Sequence, residues 1–356
     1  RRSVEFLWVW WDEWHIDIQT TGLMKKLCIT ALIIAGGLGL FLLLQFSRPL
    51  NISEPQFLIV ERGEGLARLT TRLSNTGWLP LPSLLFRAYG RATASKGHIK
   101  AGEFKVNPGM TSVDLLSLLR SGEVIQRTVT FPEGWTTAQW LTHLSNTPFL
   151  RASMDDRHGI SDLKLTEGRL YPDTYSYTRA DSAEHILQRA RRKMEQQLAT
   201  AWVERSDSAE VTSVDEALVL ASIIEKETGF GPDRPIIASV FNNRLAKGMK
   251  LQSDPTVIYG LVEYSGDLRR SHLRVDHPYN TYVHAGLPVG PICNPGLASI
   301  HAALQPPASP YFYFVAQGDG RSYFSTSLEE HNDAVNRFQK AGRVEKYRSA
   351  PATESN

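Results

Sequence analysis

Residues 27–46 read LCITALIIAGGLGLFLLLQF, a run without a charged side chain. Crossing the hydrocarbon core of a bilayer takes about 20 residues of helix, so this run predicts a transmembrane segment. Lys25 and Lys26 precede it and Arg48 alone follows it. Positive charge collects on the cytoplasmic side of such segments, so everything after residue 48 is expected outside the cytoplasm. Gln45-Phe46-Ser47-Arg48-Pro49 lacks the small-x-small pattern of a cleavage site, which favours an uncleaved anchor over a removed signal peptide. A buried helix of a soluble core fits worse, because uncharged runs this long are rare there. Met24-Lys25-Lys26 is how such an anchor normally begins, and Met24 reads as the start. Residues 1–23, with Trp8, Trp10, Trp11 and Trp14, read as an artefactual extension outside the fold; an aromatic belt at the membrane interface is the alternative.

A length of 356 residues leaves room for two or three domains. The net charge of +2 and the scattered Lys and Arg residues give no electrostatic footprint for nucleic acid. Two cysteines, Cys28 in the apolar run and Cys293 far downstream, exclude a disulfide scaffold and a multi-cysteine zinc site.

Three stretches repeat one pattern, a β-rich run, a glycine turn and an amphipathic helix. They are strand 56–60 with helix 66–73, strand 102–106 with helix 112–119, and strand 128–131 with helix 136–144. The first and third helices both end in Leu-Ser-Asn-Thr, at 73–76 and 144–147. A further helix near 81–89 makes the first part strand, helix, helix, strand, the order of a small LysM-type module. Residues 148–180 read as loop. Helices follow at 182–201, 213–228 and 234–247. A hairpin turns at Gln317-Gly318-Asp319-Gly320, and a last helix covers 328–340. The expected class is α+β: a transmembrane helix, a LysM-like α/β module, then a mainly helical catalytic domain with short β hairpins. The expected boundaries are 24–47 for the anchor, 52–125 for the module, 126–342 for the catalytic domain and 343–356 for a flexible tail.

The helix at 213–228 carries the chemistry. Ser213 and Glu216 match a capping box, and residues 217–224 are apolar on all sides, which marks a buried helix. It ends in Glu225-Lys226-Glu227. Residues two apart on a helix point about 200° from one another. Glu227 shares its face with Leu220, Ile223 and Ile224; Glu225 shares its face with Leu218, Ala221 and Ser222. A carboxyl at the edge of an apolar stripe is desolvated, and the negative end of the helix adds to the cost of its charge. Such a group can stay protonated near neutral pH and donate to a glycosidic oxygen. The pattern does not choose between the two glutamates, and both can be ordinary helix-end carboxylates.

The Gly- and Pro-rich stretch that follows holds three polar clusters, at 251–260, 279–282 and 286–296. Long irregular segments in a compact domain are usually functional, although Pro, Gly, Asn and Asp also simply shape and cap turns. His272, His277 and His284 lack metal-ligand spacing, and the chain has no G-x-S-x-G elbow or P-loop.

These motifs resemble the MltG, or YceG-like, family of endolytic lytic transglycosylases of bacterial peptidoglycan. The resemblance runs over about residues 24–340. Ala221-Ser222-Ile223-Ile224-Glu225-Lys226-Glu227-Thr228, the clusters at 251–260, 279–282 and 286–296, and the stretch 167–175 carry it. The resemblance implies that Glu227, the second glutamate, is catalytic. It also implies cleavage of the β-1,4 bond between N-acetylmuramic acid and N-acetylglucosamine in nascent strands, leaving 1,6-anhydro ends. The candidates for holding the sugars are Gln252, Asp254, Asn280, Tyr282 and Asn294. No metal or organic cofactor is required. Peptidoglycan synthases are the expected protein partners, and the inner membrane, with the catalytic part in the periplasm, is the expected location. Two other readings are a non-catalytic peptidoglycan-binding scaffold for synthases and a hydrolysing muramidase that pairs Glu227 with Asp254.

Overall fold

The computed structural model describes residues 6–150, 165–179, 181–264 and 266–341, with side chains from residue 25 to residue 340. The tail expected at 343–356 and the middle of the loop expected at 148–180 lie outside them. Helix α1 runs from Phe6 to Phe46. Its portion Lys25–Phe46 has a mean hydropathy of 2.6, and the most apolar stretch of it is not buried against protein. At 1.5 Å per residue this portion is roughly 33 Å long, enough for a bilayer core. The helical backbone continues through residues 6–23, which the sequence reading set outside the fold.

Contacts divide the described residues into two units. One extends to Gln126 and adds Thr178 and Arg179; the other holds Arg127–Tyr177 and the chain from Asp181 onward. In the first unit, strand β1 (Gln56–Val60) pairs antiparallel with β2 (Gly102–Val106), from Gln56 opposite Val106 to Val60 opposite Gly102. Helices α2 (Leu66–Asn75) and α3 (Ser83–Ala92) connect them, and α4 (Ser112–Ser121) follows. The Thr111 hydroxyl accepts from the Asp114 N–H at 3.2 Å while the Asp114 carboxylate accepts from the Thr111 N–H at 2.9 Å, a reciprocal cap that fixes where α4 begins. Leu58, Val60, Leu69, Leu73, Phe86 and Phe104 fill the interior. The strand-helix-helix-strand order is thus present as an antiparallel pair bridged by two helices.

In the second unit, β3 (Arg127–Thr130) pairs antiparallel with β4 (Thr174–Tyr177). The third strand therefore finds a partner that the sequence reading left as loop. The three strand-helix stretches are not equivalent, because the first two strands pair with each other. Helix α5 (Thr137–Asn146) packs beneath this pair, with Trp140 stacked on Phe131 at 3.6 Å between ring centroids. Helix α6 (Ala183–Val203) leads to α7 (Val214–Glu227), the axis of the unit. Its residues Ala217, Leu218, Val219, Leu220, Ala221, Ser222, Ile223 and Ile224 are all buried. Ser213 caps it as expected, but the Glu216 carboxylate reaches back one residue further, to the N–H of Thr212 at 2.6 Å. Around α7 lie α8 (Arg234–Ala246), the short α9 (Asp254–Gly260) and α10 (Leu297–Leu304). The expected hairpin forms as β5 (Tyr313–Ala316) and β6 (Ser322–Ser325). Helix α11 (Leu328–Val335) follows and runs into a wider π turn, Asn336–Ala341.

Candidate active site

The last turn of α7 sends its two glutamates into different surroundings. The Glu225 carboxylate turns inward. One oxygen accepts from the Gly296 N–H at 2.9 Å and the Ser299 hydroxyl at 2.7 Å, at the start of α10. The other lies 3.4 Å from the Arg234 guanidinium. These bonds lock α7 to α10 and α8. Glu133, pressed toward the same group, has its pKa raised by desolvation and by the charge of Glu225.

Glu227 lines an open cavity of about 520 Å³. Its pKa is pushed up to about 7, chiefly by desolvation and further by the charge of Asp254; a hydrogen bond from Ser253 and the Arg244 charge act the other way. The Ser253 hydroxyl donates to Glu227 Oε1. Across 26 residues of sequence the chain thus returns a donor to one oxygen of this carboxyl and leaves the group facing the cavity.

Three of the five expected sugar-holding residues, Gln252, Asp254 and Tyr282, line the same cavity. The Tyr282 hydroxyl donates to Asp254 Oδ1 at 2.6 Å. Burial, with that bond and the Asp254 charge, pushes the phenol's pKa above the ordinary tyrosine range. Gln252 adopts a left-handed backbone, φ +52°, unusual for a residue with a side chain. Its N–H donates to the Thr281 carbonyl at 3.1 Å, and the Thr281 hydroxyl accepts from the Ser253 N–H at 2.9 Å. The clusters at 251–260 and 279–282 are one knitted wall.

Asn280 and Asn294 are not brought to the cavity; both are fully buried. The Asn280 amide donates to the Val275 carbonyl at 2.7 Å and accepts from the Tyr282 N–H at 2.9 Å. The Asn294 side chain accepts from the Leu170 N–H at 2.9 Å and donates to the Trp135 carbonyl at 3.0 Å. Each amide spends its bonding capacity on backbone that would otherwise be buried unpaired. The stretch at 167–175 takes part in this bracing, since Glu167 accepts from the Thr137 N–H at 2.8 Å, at the first turn of α5.

Arg244 is the cavity residue that sequence reasoning missed. Buried at 7% exposure, it donates to the carbonyls of Phe312 and Leu251, both at 2.7 Å. A signal existed: Ile237, Val240, Phe241 and Arg244 fall at the spacing of one helix face, so an apolar stripe ends in a charge. The hairpin, α11 and its π turn close the far side of the cavity through Tyr313, Phe314, His331, Asn332 and Gln339. Among the described residues no cluster of His, Cys, Asp or Glu has the geometry to hold a metal ion.

The YceG-like family matches residues 58–337 of this chain. An endolytic murein transglycosylase of Bacillus subtilis (strain 168) is 33% identical over 279 residues, covering 71% of this chain and 76% of that protein. One from Streptococcus pneumoniae serotype 2 (strain D39) is 27% identical over 354 residues, and the match covers 87% of this chain and 63% of that longer protein. The crystal structure of a yceG-like protein from Listeria monocytogenes has 31% sequence identity and a TM-score of 0.46, covering 79% of this chain and 99% of that one.

Proposed function

We propose, from the premise that this chain belongs to the YceG-like family, that it is a membrane-anchored lytic transglycosylase that cuts peptidoglycan glycan strands internally. Glu227 is its acid and then its base. The observation that carries this reading is a carboxyl held near pH 7 on the wall of an open cavity large enough for a sugar. The curated relatives, named endolytic murein transglycosylases, supply the reaction class.

Protonated Glu227 donates to the bridging oxygen of the bond between N-acetylmuramic acid and N-acetylglucosamine. That bond breaks, and positive charge develops at C1 and the ring oxygen. Glu227, now a carboxylate, takes the proton from the C6 hydroxyl of the same muramic acid as O6 closes onto C1. The product is a 1,6-anhydro end, and Glu227 regains its starting proton. The nucleophile belongs to the substrate, so proximity replaces the water and second carboxylate of a hydrolase. Ser253 steadies the carboxyl through Oε1, and its bond strengthens when the group is charged. A pKa near 7 suits a group that must both give and take a proton.

Full-length Glu227→Gln should fold and insert but release no anhydro-ended fragments from purified sacculi. Glu225→Gln should lose stability and keep part of the activity. Release at the wild-type rate by Glu227→Gln would remove the assignment. The cavity also holds Asp254, which favours hydrolysis as the second reading. Mass spectrometry separates the two, because a hydrolysed end is one water heavier than an anhydro end. Sacculus binding without any release would instead favour a scaffold. The strand-helix-helix-strand unit fits a LysM-like role in holding glycan near the membrane, and synthases that extrude the strands are the natural partners.

A further inference from the structure

The cavity has a second wall whose residues the acid-base chemistry does not use. Leu328, His331, Asn332, Val335 and Gln339 all line it. Their spacing is i, i+3, i+4, i+7 and i+11, so one continuous helix face looks into the cavity. A face with Leu and Val on it normally packs into a core. This one does not: Leu328 is 56% exposed, Asn332 and Gln339 are exposed, and Val335 is half-buried. Ala334, on another side of the helix, is the buried residue.

This wall is fixed in place. The Ser327 hydroxyl accepts from the Glu330 N–H at 3.2 Å, and the Glu330 carboxylate accepts from the Thr326 N–H at 2.9 Å and the Tyr323 hydroxyl at 3.2 Å. His331 stacks on Tyr313 of the hairpin at 5.3 Å, and Tyr323 packs against Phe338 at 5.7 Å. His331 Nδ1 has no hydrogen-bond partner, and burial lowers the imidazole's pKa. Exposed aliphatic groups alternating with amides on a rigid, concave surface match an N-acetylated sugar, which offers an apolar ring face together with hydroxyls and an acetamido group.

We propose that this face of α11 and its π turn is a glycan subsite opposite Glu227, with Leu328 and Val335 against a sugar ring and Asn332 and Gln339 bonding an N-acetylhexosamine. The inference rests on the reading of the cavity as a glycan-cleaving site. Its residues bind and orient the strand and take no part in proton transfer.

The test uses the full chain in detergent and soluble glycan strands prepared from sacculi. These side chains are on the surface, so Leu328→Ala and the double variant Asn332→Ala/Gln339→Ala should fold with unchanged Tm. Each is expected to raise KM about tenfold and leave kcat within about twofold, the pattern of lost uniform binding. Carried into a Glu227→Gln background, each should weaken strand binding, measured directly, by the same factor. Asp333→Asn, on the back of the helix, should change nothing. Unchanged KM and unchanged binding in both variants overturn the subsite, as does a loss confined to kcat. If Glu227→Gln itself still releases anhydro ends, the acid assignment fails, and the binding comparison still decides the subsite.

Discussion

Glu227 couples acidity to stability. Its pKa in the fold is about 7, against an ordinary 4.5. The folded chain therefore holds this proton more tightly than the unfolded chain does. The resulting stabilisation is full below pH 4.5 and fades as pH rises, until it is gone above 7. At about 1.4 kcal/mol per pH unit, the difference is at most roughly 3 kcal/mol, and solvent in the cavity reduces it. Gln carries no charge at any pH. The Tm of Glu227→Gln should thus match wild type near pH 5 and exceed it near pH 8. A gap that does not widen with pH would contradict the raised value. On the proposed mechanism only the protonated form can donate, so the rate should fall as pH passes 7. Above that point the desolvated carboxyl costs stability, a pattern that clusters at functional sites.

At the scale of elements, the loops around the site behave as structure. Gly168 has φ +79°, and a Cβ there would meet Pro291 Cβ at 2.6 Å and the Cys293 carbonyl oxygen at 3.4 Å. Gly286 has φ +82° with nothing within 4 Å of its virtual Cβ. Both Ala variants suffer the left-handed backbone cost, about 1–2 kcal/mol, and Gly168→Ala adds a clash with a rigid ring. Thermal melts should show Gly168→Ala several degrees below Gly286→Ala; equal melts would mean that the 167–175 turn is not clamped on the 286–296 loop. The same loops mark the limit of what the sequence discloses. Helix α6 is legible because burial of one face writes a period into it, α7 because it is apolar on all sides behind a capping serine, and the hairpin because of its Gly-Asp-Gly turn. Strand β4 is only four residues, α9 lies in a Pro- and Gly-rich stretch that reads as loop, and α10 begins just where that stretch ends. Asp254-Pro255 at the start of α9 was the available cue. Helix periodicity leaves Glu225 and Glu227 equivalent; it takes Ser253, Gly296 and Ser299, 26 to 74 residues away, to set one on the cavity wall and make the other a clamp. Likewise an Asn in a loop reads as a ligand or as a brace alike; Asn280 bonds the Val275 carbonyl within its own loop, and Asn294 bonds the Trp135 carbonyl 159 residues away.

For the whole molecule, the question is how the first unit meets the membrane. After Phe46 only residues 47–49 intervene before Leu50, which is buried in that unit's core at 3% exposure. The Leu50 N–H donates to the Met110 carbonyl at 2.7 Å, and Phe46 itself packs on Tyr89 at 4.9 Å. Four residues reach at most about 14 Å, so an uncleaved α1 would hold the first unit at the bilayer surface without a flexible tether. Residues 48–126 also carry ten Lys and Arg against six Asp and Glu, whereas residues 127–356 carry 25 against 27. A basic unit can adsorb to anionic lipid without any anchor, and salt screens that attraction but not insertion. The chain expressed from Met24 should therefore stay with membranes through washes in 1 M salt and carbonate and leave them only in detergent, whereas residues 48–356 should leave in salt. Protease added outside spheroplasts should digest the part after residue 48. A shortened, salt-released product from the Met24 chain would mean that the apolar helix is a removed signal sequence.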